Sequence, residues 1–422
     1  MIPTSILRVW FFGLFSFVLI GAGIYCGHEW YLRSWGWDSE HQRSYFDPHW
    51  GLNFPTLFFA VAVGLLFWTL FGGLIIRSLF GLLDKAKGSV GLNAPSAEAG
   101  VVSRLGRSDG SELHVECYGP EGAPVIVLTH GWGADRTEWD YLRRDLADRF
   151  RFIVWDLPGL GRSTQPTNHD YRLENLANDL QAVLALAGDQ PAILLGHSIG
   201  GMITLTFCGL FPTELGTRVR GVALIQTTYT NPVRTTNFAD LLTALERPLI
   251  VPLLQLTIWL APLVWLMNHL SYLNGSCHLS SKGSGFAGSE SWEQIEHVTR
   301  LGVKAWPSVL ARGMLGMLRY DATATLKTMM VPTLVIAGDR DPVCKPEASR
   351  RIRHDIASSQ LAMLKPAKHM GLIEHHKQFA EYVERFSLSC LPETHSRRKI
   401  GQTPLWSTNF TVRGDERRGR SS

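Results

Sequence analysis

A serine between two glycines is the first candidate for chemistry in this sequence. The stretch "LLGHSIGGM" places Ser198 between Gly196 and Gly200, directly after one apolar run and directly before another. The G-x-S-x-G pattern at a strand-to-helix junction is typical of a nucleophile elbow, a tight turn that lifts the serine hydroxyl out of the sheet. Glycines also occur at such a turn for packing alone. The pattern predicts that Ser198 is a nucleophile if its partners follow.

A serine nucleophile needs a base to take its proton and a carboxylate to orient that base. Downstream, "VIAGDRDPVCKPE" places Asp339 and Asp341 after an apolar run, and "KPAKHMGLIEHH" places His369 in a loop before a helix. The chain order serine, aspartate, histidine occurs in one group of such triads. We therefore predict that Ser198 attacks, His369 carries the proton and Asp341 orients His369.

Two further strand ends carry glycine-rich loops. "LTHGWGADRTEW" ends a strand just before Trp132, and the backbone N–H groups of Trp132 and Ile199 are the predicted oxyanion hole. One such donor contributes about 10²–10³ to turnover. The alternative is a glycine turn that only ends the strand. In "WDLPGLGRS", we expect Asp156 to fix its loop rather than take part in catalysis.

Short apolar runs that alternate with amphipathic helices position these residues. Near-continuous apolar runs of strand length indicate a parallel sheet that is covered on both faces. Six such runs are "APVIVLTH", "FRFIVWD", "PAILLGH", "GVALIQ", "PTLVIAG" and "QLAMLK". Helical spacing lies between them, at residues 140–149, 172–186, 200–210 and 346–357. The pattern predicts an α/β fold with a mostly parallel, doubly wound sheet.

Four motifs together carry a family resemblance. From about residue 99 to residue 386, apart from residues 231–320, the sequence resembles the α/β-hydrolase superfamily through "HGWG", "DLPGLGRS", "GHSIGG" and "GDRDPV". The first two motifs also resemble the biotin-pathway carboxylesterases that act on pimeloyl esters. The resemblance implies a hydrolase core at residues 99–230 and 321–390 with a helical lid inserted at residues 231–320, and a mechanism without a cofactor.

The resemblance also bears on the triad. The family pattern G-x-x-D, counted from Gly338, assigns the acid to Asp341, with Asp339 as the alternative. The family usually has glycine before the histidine, where this chain has Lys368, so the alternatives to His369 remain open. These alternatives are His375 and His376. Epoxide hydrolases and haloalkane dehalogenases of the superfamily use aspartate at the elbow, so the serine favours acyl transfer.

Two uncharged runs precede the hydrolase core, at residues 9–27 and 51–76. Each is long enough to cross the roughly 30 Å hydrocarbon layer. They predict a membrane anchor at residues 1–83, with spans at about 6–27 and 53–76, followed by a linker at residues 84–98. A signal peptide or lipoprotein signal is the alternative for the first run. Residues 28–50, rich in tryptophan and tyrosine, are the predicted aromatic hairpin at headgroup depth.

The basic residues set the predicted orientation of the anchor. Cytoplasmic flanks of membrane spans are enriched in lysine and arginine. Arg8 precedes the first span, and five basic residues follow the second: Arg77, Lys85, Lys87, Arg104 and Arg107. The pattern predicts that the N-terminus and the catalytic domain face the cytoplasm.

The predicted lid contains a third uncharged run, at residues 248–270. A crossing here would separate Ser198 from Asp341 and His369, so we expect this run to pack as an apolar lid or to dip into the near leaflet. Pro252 and Pro262 are expected to break it into short pieces. Residues 276–291 are expected to be a flexible hinge, and residues 391–422 a flexible tail.

Composition narrows the class of function. The net charge of +4 over 422 residues comes without a sustained basic stripe, which disfavours nucleic acid as a partner. The six cysteines form no C-x-x-C pair, which disfavours a metal site. The sequence predicts a membrane-anchored serine hydrolase that cleaves esters or thioesters of lipophilic acyl groups. The alternatives are an acyltransferase with the same acyl-enzyme and a non-catalytic lipid-binding protein.

Overall fold

The computed structural model describes residues 5–48, 54–85 and 100–390. The predicted tail at residues 391–422 lies outside the described residues, as does most of the predicted linker at residues 84–98. All six strands expected from the apolar runs are present, and each is followed or preceded by a helix of the kind the spacing indicated.

Ten strands form two sheets. The strands are β1 (Trp35–Asp38), β2 (Arg43–Phe46), β3 (Val101–Gly106), β4 (Glu112–Tyr118), β5 (Val125–Thr129), β6 (Arg151–Trp155), β7 (Ala192–His197), β8 (Val219–Ile225), β9 (Thr333–Gly338) and β10 (Ser359–Leu364). β1 and β2 pair as a small antiparallel hairpin. The other eight form one sheet in the order β10-β9-β8-β7-β5-β6-β4-β3.

The large sheet is parallel from β10 to β6, as the apolar runs predict, and only its other edge is antiparallel. β3 and β4 form this edge, and neither strand was predicted from the apolar runs of the sequence. β5, β7 and β9 are buried along their whole length because helices cover both faces of the sheet. The fold is therefore the predicted α/β class with a mostly parallel, doubly wound sheet.

Fifteen α-helices lie in the described residues. They are α1 (Ser5–Arg33), α2 (Phe54–Lys85), α3 (Asp140–Leu146), α4 (Leu173–Leu184), α5 (Ile199–Leu210), α6 (Ala239–Leu245), α7 (Val251–Trp259), α8 (Ala261–Leu273), α9 (Ser276–Gly285), α10 (Trp292–Lys304), α11 (Pro307–Met317), α12 (Thr323–Thr328), α13 (Pro346–Asp355), α14 (Gly371–Glu374) and α15 (His376–Ser389). Two apolar clusters fill the molecule. One joins the sheet to α4, α5 and α11, and the other joins it to α3, α10 and α15.

α1 and α2 pack against each other and expose large apolar side chains. Phe11, Val18, Phe54 and Leu74 are each more than half exposed. Among the described residues, three helical stretches are long and apolar enough to cross a membrane: Ser5–Arg33, Phe54–Leu82 and Ala239–Trp259. α1 and α2 extend beyond the predicted spans, and the hairpin expected at residues 28–50 is the last turns of α1 followed by β1 and β2.

The segment between β8 and β9 contains α6 to α12. The uncharged run at residues 248–270 is divided at Leu260, two residues before Pro262, as expected. Pro252 was expected to break the run and does not. The helix continues from Ala239 to Trp259 through a π-helical turn at Glu246–Ile250 directly before α7, and such a local change of helical hydrogen bonding accommodates the missing N–H of Pro252. The flexible hinge expected at residues 276–291 is also wrong, since α9 occupies most of it.

The first half of α1 packs against α7 and α8. A β-carbon on Gly13 would lie 2.5 Å from Met267 Cε, so the small residue allows the two helices to approach closely. Ser16 Oγ lies 3.1 Å from Ser271 Oγ and accepts a hydrogen bond from Asn274 Nδ2 at 2.9 Å. Trp10 Nε1 donates to Thr257 Oγ1 at 2.9 Å. The apolar N-terminal helix is therefore joined to the inserted helices by packing and by hydrogen bonds.

Candidate active site

Ser198 stands at the junction between β7 and α5. Its φ of +54° and ψ of −117° lie in a region that side chains other than glycine rarely adopt, which is the strained turn of a nucleophile elbow. The flanking glycines make this turn possible. A β-carbon on Gly196 would lie 2.2 Å from the carbonyl oxygen of Gly200, and one on Gly200 would lie 2.1 Å from that of Thr129. Both positions therefore exclude any side chain.

The structure brings Ser198, His369 and Asp341 together. They follow the carboxyl ends of β7, β10 and β9, which meet at one edge of the parallel sheet. Ser198 Oγ lies 3.2 Å from His369 Nε2, and His369 Nδ1 donates to Asp341 Oδ2 at 2.8 Å. All three side chains are buried. A serine hydroxyl, a base and a carboxylate are thus linked in the order that nucleophilic catalysis requires.

The surroundings of His369 set its protonation. Burial lowers the pKa of His369 below its ordinary value of 6.5, because the imidazolium loses its hydration. The Asp341 carboxylate acts in the opposite direction, and the nearby His197 lowers the pKa further. Burial prevails, so His369 is neutral at neutral pH and able to accept the proton of Ser198.

The alternative acid and bases are engaged elsewhere. Asp339 Oδ1 accepts the backbone N–H of Ala367 at 2.9 Å, which holds the loop before His369. His375 Nε2 donates to the carbonyl oxygen of Pro366 at 2.6 Å. His376 Nδ1 lies 2.6 Å from Asp145 Oδ2. None of these three side chains bonds to Ser198 among the contacts of the described residues.

Asp341 is held by its own loop and by a residue that the sequence reading missed. Asp341 Oδ1 accepts the backbone N–H groups of Val343 at 2.8 Å and Cys344 at 3.0 Å. Gln226 Nε2 donates to Asp341 Oδ2 at 3.3 Å and also to the carbonyl oxygen of Lys368. Gln226 therefore joins the acid loop to the base loop. Its position directly after β8, next to the elbow strand in the sheet, is the signal that could have identified it.

A buried pair beneath the triad was also missed. His197 Nδ1 donates to Glu138 Oε1 at 2.9 Å, and His197 Nε2 donates to the carbonyl oxygen of His369 at 3.2 Å. Glu138 Oε2 accepts the backbone N–H of Gly131 at 2.8 Å. The pair therefore connects the elbow, the base loop and the loop after β5.

The pKa of Glu138 reflects this arrangement. Burial acts to raise the pKa of Glu138, but the charge and hydrogen bond of His197 together with the N–H of Gly131 outweigh burial and lower the pKa to about 2. Glu138 is therefore ionised at neutral pH inside the protein. A buried carboxylate of this kind is stabilised only while its partners remain in place.

The loop after β5, predicted to contribute to the oxyanion hole, borders the same cavity as Ser198 and His369. Ile199 is the first residue of α5, so its N–H has no acceptor within the helix. Trp132 is buried, and its Nε1 donates to the carbonyl oxygen of Leu310 in α11 at 3.0 Å. Asp156 accepts the backbone N–H groups of Arg136 at 2.7 Å and Arg162 at 2.8 Å. Asp156 thus fixes its loop, as its position suggests.

A cavity of about 190 Å³ lies against Ser198 and His369. Its walls come from four parts of the chain: the loop after β5, the helices α8 to α10, the loop before α14 and the first turns of α1. The residues from α1 are Ser5, Arg8, Val9 and Phe12. Within the described residues, no cluster of three or more histidine, cysteine, aspartate or glutamate side chains could hold a metal ion.

Comparison with known proteins agrees with this fold. A family described as the alpha/beta hydrolase fold matches residues 124–263. The pimeloyl-[acyl-carrier protein] methyl ester esterase of Neisseria meningitidis serogroup A is 25% identical over 291 residues, which cover 68% of this chain and 85% of that protein. This similarity agrees with the resemblance to biotin-pathway carboxylesterases carried by "HGWG" and "DLPGLGRS".

Two solved structures extend the comparison. A thermophilic esterase from Thermogutta terrifontis superposes with a TM-score of 0.56 at 25% identity, over 69% of this chain and 99% of that one. A structure described as a membrane phospholipase A, a bacterial virulence factor, superposes with a TM-score of 0.55 at 21% identity. The latter covers 79% of this chain and 96% of its own. At that identity the likeness shows the fold alone.

Proposed function

The chain is a member of the α/β-hydrolase fold family with esterase relatives, and from this premise we propose that it is a membrane-anchored serine hydrolase. In this proposal it cleaves carboxylic esters or thioesters of lipophilic acyl groups through an acyl-enzyme on Ser198. The observation that carries the proposal is the cavity beside Ser198, one wall of which is the apolar helix α1. A site walled by a membrane helix is suited to an apolar substrate that arrives from the lipid.

In the proposed mechanism, His369 accepts the proton of Ser198 while Oγ attacks the acyl carbonyl carbon. The backbone N–H groups of Trp132 and Ile199 stabilise the oxyanion of the tetrahedral intermediate. His369 then donates the proton to the leaving alcohol or thiol, which departs and leaves the acyl-enzyme. Water attacks the acyl-enzyme with His369 as the base, the carboxylic acid is released, and Ser198 is restored. Asp341 keeps His369 in the tautomer that this sequence needs.

We assign the anchor to α1 and α2 as two antiparallel spans, with the catalytic domain on the cytoplasmic side. Their exposed apolar side chains support this assignment, since they would face lipid. The third candidate stretch, Ala239–Trp259, is assigned to the lid. Leu254 of α7 is fully buried in the core, and Thr257 accepts the hydrogen bond from Trp10. A single crossing at this stretch would also part Ser198 from His369.

A lipophilic acyl group is supported by the cavity walls. Val9 and Phe12 of α1 supply apolar surface there, as do Val298, Leu301 and Val303 of α10. The esterase from Neisseria meningitidis, which is named for the methyl ester of a carrier-bound acyl chain, supports an acyl ester as the substrate.

Labelling with a fluorophosphonate probe tests the proposal. Membrane and soluble fractions of cells that express the wild type or Ser198→Ala are treated with the probe. We expect labelling in the membrane fraction of the wild type and none in Ser198→Ala, because only an activated serine reacts with the probe. The matched control is Ser163→Ala, which removes a buried serine on a neighbouring loop and is expected to retain the label.

The outcomes separate the alternatives. A folded wild type that takes up no label would contradict an activated serine and favour the non-catalytic lipid-binding protein. Label that persists in Ser198→Ala would assign the nucleophile to another serine. Label in the soluble fraction alone would contradict the anchor. An acyltransferase would take up the probe equally well, so a second experiment is needed. The enzyme is given an ester substrate in water alone or in water with an added alcohol. A product that is mainly the ester of the added alcohol would identify a transferase.

A further inference from the structure

Arg8 is a charged residue in an unusual place. It lies in the first turns of α1, directly before the uncharged run that begins at Val9. Its side chain is partly buried and lines the same cavity as Ser198 and His369. Arg8 therefore borders the space in which we propose that the ester binds.

Arg8 has no anionic partner within the part of the chain that the structure describes. The only acidic residue among those that line the cavity is Glu138, and its carboxylate is bound by His197 and by the N–H of Gly131. No ion pair or hydrogen bond joins the Arg8 side chain to another described residue. A partly buried cation without a counter-ion is costly, and an anionic group on a ligand would remove that cost.

The other polar groups of the cavity suit oxygen-rich ligands. Ser280, Ser281 and Ser284 lie along α9 and line the cavity, and Asn268 of α8 does so too. Hydroxyl and amide groups of this kind donate hydrogen bonds to phosphate and glycerol oxygens. A guanidinium adds two parallel donors with the geometry of a phosphate.

The position of Arg8 along α1 indicates where that anion lies. If α1 spans the membrane, Arg8 lies at the end of the apolar run, which is the depth of the lipid headgroups. From the cavity and this position we infer that Arg8 binds a phosphate group on the substrate, so that the enzyme acts on phosphate-bearing acyl esters. This inference rests on the proposed function. Two sources could supply the phosphate, a glycerophospholipid headgroup or the phosphopantetheine of an acyl thioester.

Two matched pairs of substrates test the inference. The first pair is 1-palmitoyl-lysophosphatidic acid and 1-monopalmitoylglycerol, which share the same ester and differ in the phosphate. The second pair is palmitoyl-phosphopantetheine and palmitoyl-pantetheine. The full-length enzyme is assayed in detergent micelles as the wild type, Arg8→Gln and Arg8→Lys. Arg33→Gln, at the far end of α1 and on the surface, is the matched control.

For each pair, the measured quantity is kcat/KM for the phosphate-bearing substrate divided by kcat/KM for the substrate without phosphate. We expect Arg8→Gln to lower this ratio by roughly 10- to 100-fold, because it removes a hydrogen bond between charged groups. Arg8→Lys should give a ratio between those of Arg8→Gln and the wild type, because lysine keeps the positive charge but lacks the two parallel N–H donors of the guanidinium. Arg33→Gln should leave the ratio as in the wild type. A changed ratio in the first pair alone identifies a lipid headgroup, and one in the second pair alone identifies a carrier thioester.

An Arg8→Gln enzyme with the wild-type ratio in both pairs would overturn the inference and leave the hydrolase proposal intact. Ser198→Ala separates the two questions. If Ser198→Ala still hydrolyses these substrates at the wild-type rate, the proposed function fails, whatever Arg8 does.

Discussion

At the scale of single residues, the site depends on the balance of charges around His369. Burial lowers the pKa of this imidazole, the Asp341 carboxylate acts to raise it, and the nearby His197 lowers it further. Glu138 in turn compensates His197. His197 and Glu138 therefore act on the surroundings of this imidazole without a hydrogen bond to the Ser198 hydroxyl in the described contacts, and Glu138 also positions the loop that carries Trp132.

The pH dependence of activity follows from this balance. Only neutral His369 can accept the serine proton, and its pKa is lowered below 6.5, so kcat/KM for a soluble p-nitrophenyl ester should be half-maximal below pH 6.5 and level above it. Asp341→Asn removes the contribution that raises this pKa. We expect it to move the acid limb to still lower pH and to reduce the maximal rate by roughly 10³- to 10⁴-fold.

Asp339→Asn is the matched control for this pH profile, because Asp339 is the neighbouring carboxylate and holds only the backbone of Ala367. It should keep the acid limb of the wild type and lose far less activity than Asp341→Asn. An acid limb at or above pH 6.5 in the wild type would contradict the stated protonation of His369. Equal losses in the two variants would contradict the assignment of the acid.

At the scale of helices and strands, α1 and α2 pack against helices of the segment inserted between β8 and β9. α2 approaches the end of α8 through two adjacent glycines, Gly72 and Gly73. α1 approaches α8 through Gly13 and the hydrogen-bonded Ser16. Small residues allow helix backbones to approach closely, which is the usual means of helix association in membranes. The positions of α1 and α8, which line the cavity, therefore depend on helix contacts that lie outside the sheet.

Gly73→Leu tests this packing. A β-carbon at residue 73 would lie 2.8 Å from the carbonyl oxygen of Leu273 and 2.9 Å from that of Tyr272, so backbone must move. Overpacking of this kind costs about 1–3 kcal/mol. We expect a thermal transition several degrees below that of the wild type in detergent. Gly64→Leu, in the same helix with nothing within 4 Å, is the control and should melt like the wild type. A Gly73→Leu protein as stable as Gly64→Leu would show that α2 does not pack on α8.

At the scale of the whole molecule, the chain combines a hydrolase core with a helical hairpin that ends at the active-site cavity. The first turns of α1 line the cavity, and Phe80 near the end of α2 stacks on Trp292 of α10 with ring centroids 5.7 Å apart. Both helices therefore meet the catalytic domain at the ends remote from β1 and β2. If they span the membrane, the small hairpin lies on the side opposite to the catalytic domain.

Cysteine labelling tests this arrangement. Ser39→Cys places a thiol in the exposed turn between β1 and β2, and Asp189→Cys places one on the exposed surface of the catalytic domain. With a membrane-impermeant maleimide on intact cells, we expect labelling of Ser39→Cys above the wild-type background. Asp189→Cys should react only after the cells are lysed. Equal labelling of both in intact cells would contradict the two-span topology, and the reverse pattern would contradict the cytoplasmic orientation.

The sequence by itself predicted the α/β fold, the six central strands and the three residues that the structure brings together, Ser198, His369 and Asp341. These features are local: an apolar run of strand length, a glycine on each side of a serine, and an acid and a histidine at the ends of later strands are each visible within about ten residues. The edge strand β3 was missed because most of its residues are exposed and polar residues interrupt it, and β4 was missed because the buried polar residues His114 and Glu116 interrupt its apolar run.

Only the tertiary structure decided how distant segments meet. Glu138 and His197 are 59 positions apart, Gln226 and Asp341 are 115 apart, and Arg8 shares a cavity with a serine near the middle of the chain. Such contacts depend on the path of the whole chain, which no local pattern records. The physical reason is that a buried charge is stabilised by whichever partner the fold places beside it, and sequence separation does not limit that choice.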